Sequence, residues 1–447
     1  MTREIVQPRT LPGFRDFLPD DMMAREALME TARRVFRSWG FAPIDTPALE
    51  FLEVLTGKGS EETDRQMYQF TDNGGRQVGM RFDLTVPLAR FAARHIDQLG
   101  TPFKRYHIAP VWRGEKPQAG RFREFVQSDF DTIGTTSIAS DAETALVIHD
   151  LMRALGFERF VIRINNRKLL NGLLDRLGLA DQSAQVLRSI DKLEKVGRDK
   201  VVRELESAGI DAGRIGRILE LSGTTGSNDE VLTRLAGLAE GHEPAAQGQR
   251  ELDQVWHLIQ ASGAHPENFR IDPSIARGLD YYTGTVFETI LDDDPDIGSV
   301  CSGGRYDNLA EVYTKRQLPG IGASLGLDRL LAAMQRLGIT RSAGTPADVL
   351  IVNFSDDLLG EYFRIGGCLR SAGLGVEVYP QAKRLGQQFR YADQRGFPIC
   401  LVAGQDEFDG GIVRLKRMDS GQQEDVKCDD RCQAIVQAIR AGQSDGD

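Results

Sequence analysis

Phe103-Lys104-Arg105-Tyr106-His107-Ile108-Ala109-Pro110-Val111 and Arg123-Glu124-Phe125-Val126-Gln127-Ser128-Asp129-Phe130-Asp131-Thr132-Ile133 are two strand-like runs. Between them lies a polar segment, Arg113 to Arg121, with Pro117 and Gly120. Aromatic and β-branched runs bounded by turn formers read as strands, and this pair reads as one long antiparallel hairpin. Alternate side chains of a strand share a face, which lines up Arg123, Phe125, Gln127, Asp129 and Asp131. Trp112-Arg113-Gly114-Glu115 opens the loop and Gly120-Arg121-Phe122 leads out of it. Arginines beside an aromatic ring suit a nucleotide, because guanidinium forks pair with phosphate and a ring stacks on a base. Taken alone, the segment reads more readily as a solvated, salt-bridged hairpin, since surface charge is common.

Upstream, Met22, Ala27, Leu28, Ala32, Val35 and Phe36 recur at helical spacing, which predicts a helix over Asp21 to Trp39 closed by Gly40. The two prolines of Phe41-Ala42-Pro43-Ile44-Asp45-Thr46-Pro47 suit an edge strand. Downstream, Asp141 to Leu155 reads as a helix and Phe160 to Asn165 as a strand. Lys168 to Ile259 is charge-rich, with leucine faces at helical spacing, and marks a separate helical module. A strand returns at Val286 to Leu291, glycine-rich turns are expected at Gly303-Gly304 and Gly320-Ile321-Gly322, and Leu327 to Leu337 reads as a helix. Ser342-Ala343-Gly344-Thr345-Pro346 reads as a linker. Beyond it, strands at Asp348–Asn353, Val376–Tyr379 and Ile399–Ala403 alternate with helices at Leu358–Ala372 and Leu385–Arg395. That alternation predicts a small α/β domain with a mainly parallel sheet.

A chain of 447 residues exceeds one ordinary core, so two or three domains are expected. Hydrophobic residues at 41% and charged residues at 27% are the proportions of a soluble globular protein. No apolar run reaches the roughly 20 residues of a membrane span, and Met1 to Val6 lacks the apolar core of a signal peptide, so a cytoplasmic protein with no membrane partner is expected. Five cysteines at scattered positions argue against a disulfide framework, and no metal site is expected from Cys428 and Cys432. A net charge of −10 gives no overall basic footprint for nucleic acid, so such a partner must be argued from motifs.

Four further segments carry chemistry-bearing residues. Arg277-Gly278-Leu279-Asp280-Tyr281-Tyr282-Thr283-Gly284-Thr285-Val286-Phe287-Glu288 sets an arginine and paired tyrosines before a strand. Cys301-Ser302-Gly303-Gly304-Arg305-Tyr306-Asp307 allows close backbone approach beside an arginine. Gly322-Ala323-Ser324-Leu325-Gly326-Leu327-Asp328-Arg329 leads a glycine strand into a helix. Met80-Arg81-Phe82-Asp83-Leu84-Thr85-Val86-Pro87 would put Asp83 and Thr85 on one strand face as an ammonium clamp, or else supply an N-cap to a helix begun by Pro87.

In this order the segments resemble the histidyl branch of the class II aminoacyl-tRNA synthetases, over essentially the whole chain. Gly40 to Glu50 is similar to that class's first, dimer-forming motif, Arg113 to Phe125 to its second, and Gly322 to Arg329 to its third. Arg277 to Glu288 and Gly303 to Asp307 resemble segments peculiar to the histidine enzymes. The resemblance implies an α+β protein: a catalytic domain over residues 1–335 with a six-stranded antiparallel sheet and a helical insertion at about 168–260, then an α/β anticodon-binding domain at 346–447. It implies ATP with Mg²⁺, L-histidine and tRNA(His) as partners, and a homodimer. It implies that Asp83, Leu84, Thr85 and Gln127 surround the substrate's ammonium end, and that Asp131 and Tyr282, with Tyr281 beside them, bind the imidazole. Arg113 would grip the α-phosphate, Arg121 and Arg329 the outer phosphates, with Glu115 and Phe125 completing the ATP site and Phe125 stacking on adenine. Arg277 and Arg113 would be the catalytic cations, Arg277 near the carboxylate and α-phosphate. The chain departs from common members in Asp83-Leu84-Thr85, where many bacterial ones have Glu-Gly-Thr, in Asp328 for Glu, and in Asn308 for Gly. None of these removes a charge. A non-catalytic relative, the regulatory subunit of ATP phosphoribosyltransferase, is the alternative. Such proteins typically lose the C-terminal domain and the motif arginines, and both are present here.

Overall fold

A computed structural model describes residues 6–56, 64–116, 121–276, 281–339 and 344–441. Arg277, the middle of the hairpin loop at 117–120 and the linker residues 342–343 lie outside the described residues. Contacts divide the chain into two units: one takes residues up to 16 and 25–340, the other 17–24 and those from 341 onward.

The first unit is built on an eight-stranded sheet. Its strands are β1 (Ala42–Pro43), β5 (Phe103–Trp112), β6 (Glu124–Ile133), β7 (Phe160–Asn166), β8 (Phe269–Ile271), β9 (Thr285–Leu291), β10 (Cys301–Tyr306) and β11 (Gly320–Gly326). Smaller strands β2 (Leu49–Phe51), β3 (Gln69–Thr71) and β4 (Gln77–Met80) form a separate antiparallel sheet. In the large sheet the order is β1-β5-β6-β11-β10-β9-β7-β8. The six inner strands are antiparallel throughout, and β1 and β8 cap the edges in parallel. The long hairpin is β5–β6, and the strand bearing Pro43 sits at an edge, where a missing N–H does least harm.

One face of this sheet packs on helices. Phe36, from the Pro19–Ser38 helix, stacks at 5.4 Å on Tyr106 and lies 5.2 Å from Phe130, the apolar side of the hairpin. The Ile138–Ala154 helix covers β7, β10 and β11, and Arg305 fastens it to the sheet. Arg305 is buried against Asp141 and donates to the carbonyls of Thr135 at 2.9 Å and Ser137 at 3.2 Å. The helical module runs from Arg167–Arg176 to Glu243–Ala261 between β7 and β8, with leucine faces turned inward.

Two expectations need correction here. Gly303, Gly304, Gly320 and Gly322 lie in no turn; they sit inside β10 and β11. Their reason is proximity. A β-carbon on Gly303 would collide with the Gly322 carbonyl, and one on Gly322 with the Phe130 carbonyl and the Asp131 carboxylate. Asp83 and Thr85 do not share a strand either: β4 ends at Met80 and Thr85 begins the Thr85–Leu99 helix.

The second unit carries a five-stranded sheet of order β13-β12-β14-β15-β16. Its strands are β12 (Val349–Ile351), β13 (Val376–Val378), β14 (Ile399–Val402), β15 (Ile412–Arg417) and β16 (Gln423–Lys427). Helices Leu359–Ser371, Leu385–Arg395 and Gln433–Ala441 pack around it. The sheet is mixed rather than mainly parallel: β13, β12 and β14 are parallel, while β15 and β16 continue antiparallel. These two strands turn back on each other through residues 418–422, a short-range connection that parallel strands cannot use.

The crowding at Gly322 predicts that Gly322→Ala lowers stability by roughly 1–3 kcal/mol, the usual range for overpacking a close-packed interior. Thermal denaturation against Gly216→Ala, where a β-carbon meets open space, checks this.

Candidate functional site

The sheet face opposite the packed helices opens into a cavity of about 410 Å³ within the first unit. Register explains why it is polar. Residues directly paired across strands point the same way, so each row of the sheet presents one line of side chains. One row runs His107–Asp129–Ser324–Ser302–Glu288–Arg163 across six strands. Its neighbour runs Arg105–Asp131–Gly322–Gly304–Val286–Asn165. On β11 this face carries Gly320, Gly322, Ser324 and Gly326, so Ser324 supplies that strand's one side chain toward the site.

At the floor lies a charged cluster. Arg105 has no exposed surface, and its Nη2 is 2.6 Å from Asp131 Oδ2. The Tyr306 hydroxyl donates to Asp131 Oδ1 at 2.5 Å. Burial raises the Asp131 carboxyl above its ordinary range, and Arg105 and Tyr306 oppose that rise. Asp129 is pushed up to about 7 by burial, helped by the neighbouring Asp131 charge and countered by Arg105. Gln127 donates its amide Nε2 to Ser324 Oγ at 2.7 Å, while its buried Oε1 has no hydrogen-bond partner among the described residues.

Asp83 and Thr85 reach the cavity from the start of the Thr85–Leu99 helix. Asp83 Oδ1 accepts from the amides of Thr85 at 3.1 Å and Val86 at 2.9 Å. The carboxylate thus caps the first turn, two residues earlier than a helix begun by Pro87 would start, while lining the cavity. Burial raises its affinity for a proton. Tyr281 meets Tyr282 edge-on at 5.2 Å, and both rings line the cavity. Leu84 does not: its fully buried side chain packs with Ala109, Val111 and Phe125.

Arg113 donates from Nε to the Phe82 carbonyl at 3.1 Å, with its guanidinium 4.4 Å from the Phe82 ring and 5.0 Å from Phe125. Glu115 lies 3.9 Å from Arg121, and both line the cavity with Phe125. Arg329 lines it too and donates to the Ser299 carbonyl. The cavity therefore brings together Asp83, Thr85, Arg113, Glu115, Arg121, Phe125, Gln127, Asp131, Tyr281, Tyr282 and Arg329. Asp328 beside Arg329 has a framework role: it takes the Val126 amide at 2.8 Å and pairs with Arg15 and Arg25. Reading the residues one strand at a time passes over Arg105, Tyr306 and Ser324. Fixing the hairpin register would have found the first, since Arg105 falls directly opposite Asp131.

An antiparallel sheet bearing a pocket of arginines, carboxylates and a stacking ring is the catalytic scaffold of the class II aminoacyl-tRNA synthetases. A family model described as histidyl-tRNA synthetase matches residues 13–330, and one described as anticodon binding domain matches residues 348–438. The histidine–tRNA ligase of Rhodopirellula baltica is 58% identical over 442 residues, 98% of this chain and 100% of that one. That of Wolinella succinogenes is 45% identical over 94% of this chain and 96% of its own. The crystal structure of histidyl-tRNA synthetase from Nostoc sp. PCC 7120 superposes with a TM-score of 0.90 at 38% identity, covering 98% of this chain and 100% of that one. The chain belongs to the histidyl-tRNA synthetase family.

Asp129 gives the apo protein a signed pH dependence. An unfolded aspartate ionises near 3.8, whereas the folded one holds its proton to about 7. The folded state therefore binds the extra proton between those values, and this residue's contribution to stability falls as pH rises through that window. Asp129→Asn removes the penalty, so its melting temperature should exceed wild type by several degrees at pH 8 and by less at pH 5, measured without ligands.

Proposed function

We infer that the chain is a histidine–tRNA ligase, which activates L-histidine with ATP to histidyl-adenylate and transfers it to tRNA(His). The observation that carries this reading is the Asp131 carboxylate, held by Arg105 and Tyr306 at the floor of a cavity whose wall bears Arg113 and Phe125. Asp131 accepts a hydrogen bond from one imidazole nitrogen, and the Tyr282 hydroxyl faces the other. A ligand without such a ring leaves buried polar groups unpaired, which discriminates strongly. Asp83, Thr85 and the free Oε1 of Gln127 hold the ammonium, with the Leu84 backbone between them.

The chemical problem in activation is anion meeting anion: a carboxylate must approach the α-phosphate. Arg113 is fixed between two rings and by the Phe82 carbonyl, so its charge is already placed when the phosphate arrives. Arg121 and Arg329 would take the outer phosphates, with Phe125 against adenine and Glu115 beside it. Arg277 would offset the charge that develops as the carboxylate attacks. Glu115 and Glu288 on the cavity wall are hard oxygen donors of the kind that suits Mg²⁺ entering with ATP. The ion, when bound, would lessen the nucleotide's negative charge.

The second unit would bind the anticodon stem and leave the chemistry to the first. No helix among the described residues is long and apolar enough to cross a membrane, and a cytoplasmic setting fits a tRNA substrate. A homodimer is supported by the small sheet. Phe51, Val78 and Phe70 form one row across it and Leu49 and Met80 the next, so one face is apolar. Leu49, Phe51 and Phe70 are 46%, 51% and 46% exposed there. Apolar surface gathered on one face marks a contact, and two-fold pairing is the commonest closed form.

Two measurements test the reading. Pyrophosphate exchange by the purified protein should depend on histidine alone among the amino acids; folded protein with no exchange would favour the non-catalytic relative. In the same assay Arg277→Ala should lose about 10²–10³ in kcat with an unchanged melting temperature, and lysine should rescue it only partly because it lacks the planar fork. Lost stability with a modest rate change would retire the catalytic role. Phe51→Asp should shift the molecule from dimer to monomer in light scattering, and a wild type already monomeric would overturn the dimer.

A further inference from the structure

We propose that Ser324 is a positioning residue that fixes the Gln127 amide with its oxygen toward the substrate's ammonium group. The inference rests on the reading of Gln127 given above and adds the device that orients it. β11 clears its cavity face with glycine at 320, 322 and 326 and keeps a side chain only at 324, directly opposite Asp129. The hydroxyl is therefore the single group that this strand contributes.

Polarity follows from the chemistry of the three groups. Ser324 is paired directly across the strands with Asp129, and an ionised carboxylate only accepts, so toward that neighbour the Ser324 O–H can only donate. The Ser324 oxygen then has only lone pairs left for its other neighbour. Gln127 lies 2.7 Å away and must meet those lone pairs with its NH₂. Its carbonyl oxygen is turned the other way. Gln127 is 8% exposed and this oxygen has no partner among the described residues, a costly state unless a donor arrives. An ammonium group carries three donors and no acceptor, so it fits that oxygen and would be repelled by the reversed amide. Without Ser324 the amide has no such constraint and can turn its NH₂ to the site.

The test separates the ammonium from the rest of the ligand. At pH 8, where Asp129 is ionised, the affinities of histidine and of its des-amino analogue 3-(imidazol-4-yl)propionate are measured by calorimetry for wild type, Ser324→Ala, Ser324→Cys and Gln127→Ala. Ser324→Cys keeps nearly the same size but offers a poor acceptor, which controls for an emptied space. Both serine variants should lose about tenfold in the preference for histidine over the analogue, the worth of one hydrogen bond to a charged group. The analogue's own affinity should stay within about twofold, since it never used the amide oxygen. In exchange assays KM for histidine should rise while kcat at saturation holds. An unchanged preference in the serine variants, or an equal loss for both ligands, would overturn the positioning role. An unchanged preference in Gln127→Ala would instead remove the ammonium reading on which it stands.

Discussion

Arg105 and Asp131 face each other across the central hairpin with almost no contact with water. Two charges taken out of solvent cost several kcal/mol each, and only their mutual attraction and good hydrogen bonds offset it. Removing one partner of such a pair leaves an uncompensated charge and typically costs about 3–5 kcal/mol. The fold therefore depends on a register that places these two residues opposite each other, and the sheet is anchored on both sides of that point. Phe36 and Phe41 clamp the reverse face at Phe130, one residue from Asp131. Tyr306 reaches over from β10 to the same carboxylate. The apolar packing that stabilises the sheet and the polar floor of the cavity meet back to back on adjacent residues of one strand.

The pair also sets the electrostatics around it. Asp83, Asp129 and Asp131 are three buried carboxyls around it. Burial, with the Asp131 charge beside it, is why Asp129 holds its proton so far above an ordinary aspartate, and Arg105 offsets only part of that rise.

Much of this was legible in sequence. The β5–β6 hairpin, the Pro19–Ser38 helix and the helical module stand out because their patterns repeat over many residues, and repeated patterns average out local noise. Asp131, Gln127 and Phe125 were grouped correctly by the two-residue period of a strand. What failed was the reading of single residues whose meaning is set from outside their own segment. The glycines of β10 and β11 looked like turns because glycine is the usual turn residue, yet they answer to the Asp131 carboxylate and to a neighbouring strand. Asp83 and Thr85 looked like a strand pair because the apolar run before them is one, and the capping role of Asp83 lies in its hydrogen bonds. Arg105 was hidden by its type, since an arginine in a strand reads as solvent-facing until its partner is known. The antiparallel end of the second sheet was lost behind the stronger strand–helix rhythm before it.

The bare face of β11 limits how this enzyme's substrate range can drift. A cavity walled by large side chains can be enlarged by trimming them, and its bearer can then accept bulkier molecules. Gly320, Gly322 and Gly326 are already at the minimum: a side chain at 320 meets the Tyr306 ring and Ile133, one at 322 the Phe130 carbonyl and the Asp131 carboxylate, and one at 326 fills space. Mutation at these glycines moves in one direction, toward a smaller pocket, and at 320 and 322 also toward a less stable sheet. At these three positions no substitution can make room for a larger amino acid, so along this strand the choice of substrate is guarded by having only the Ser324 side chain left to remove.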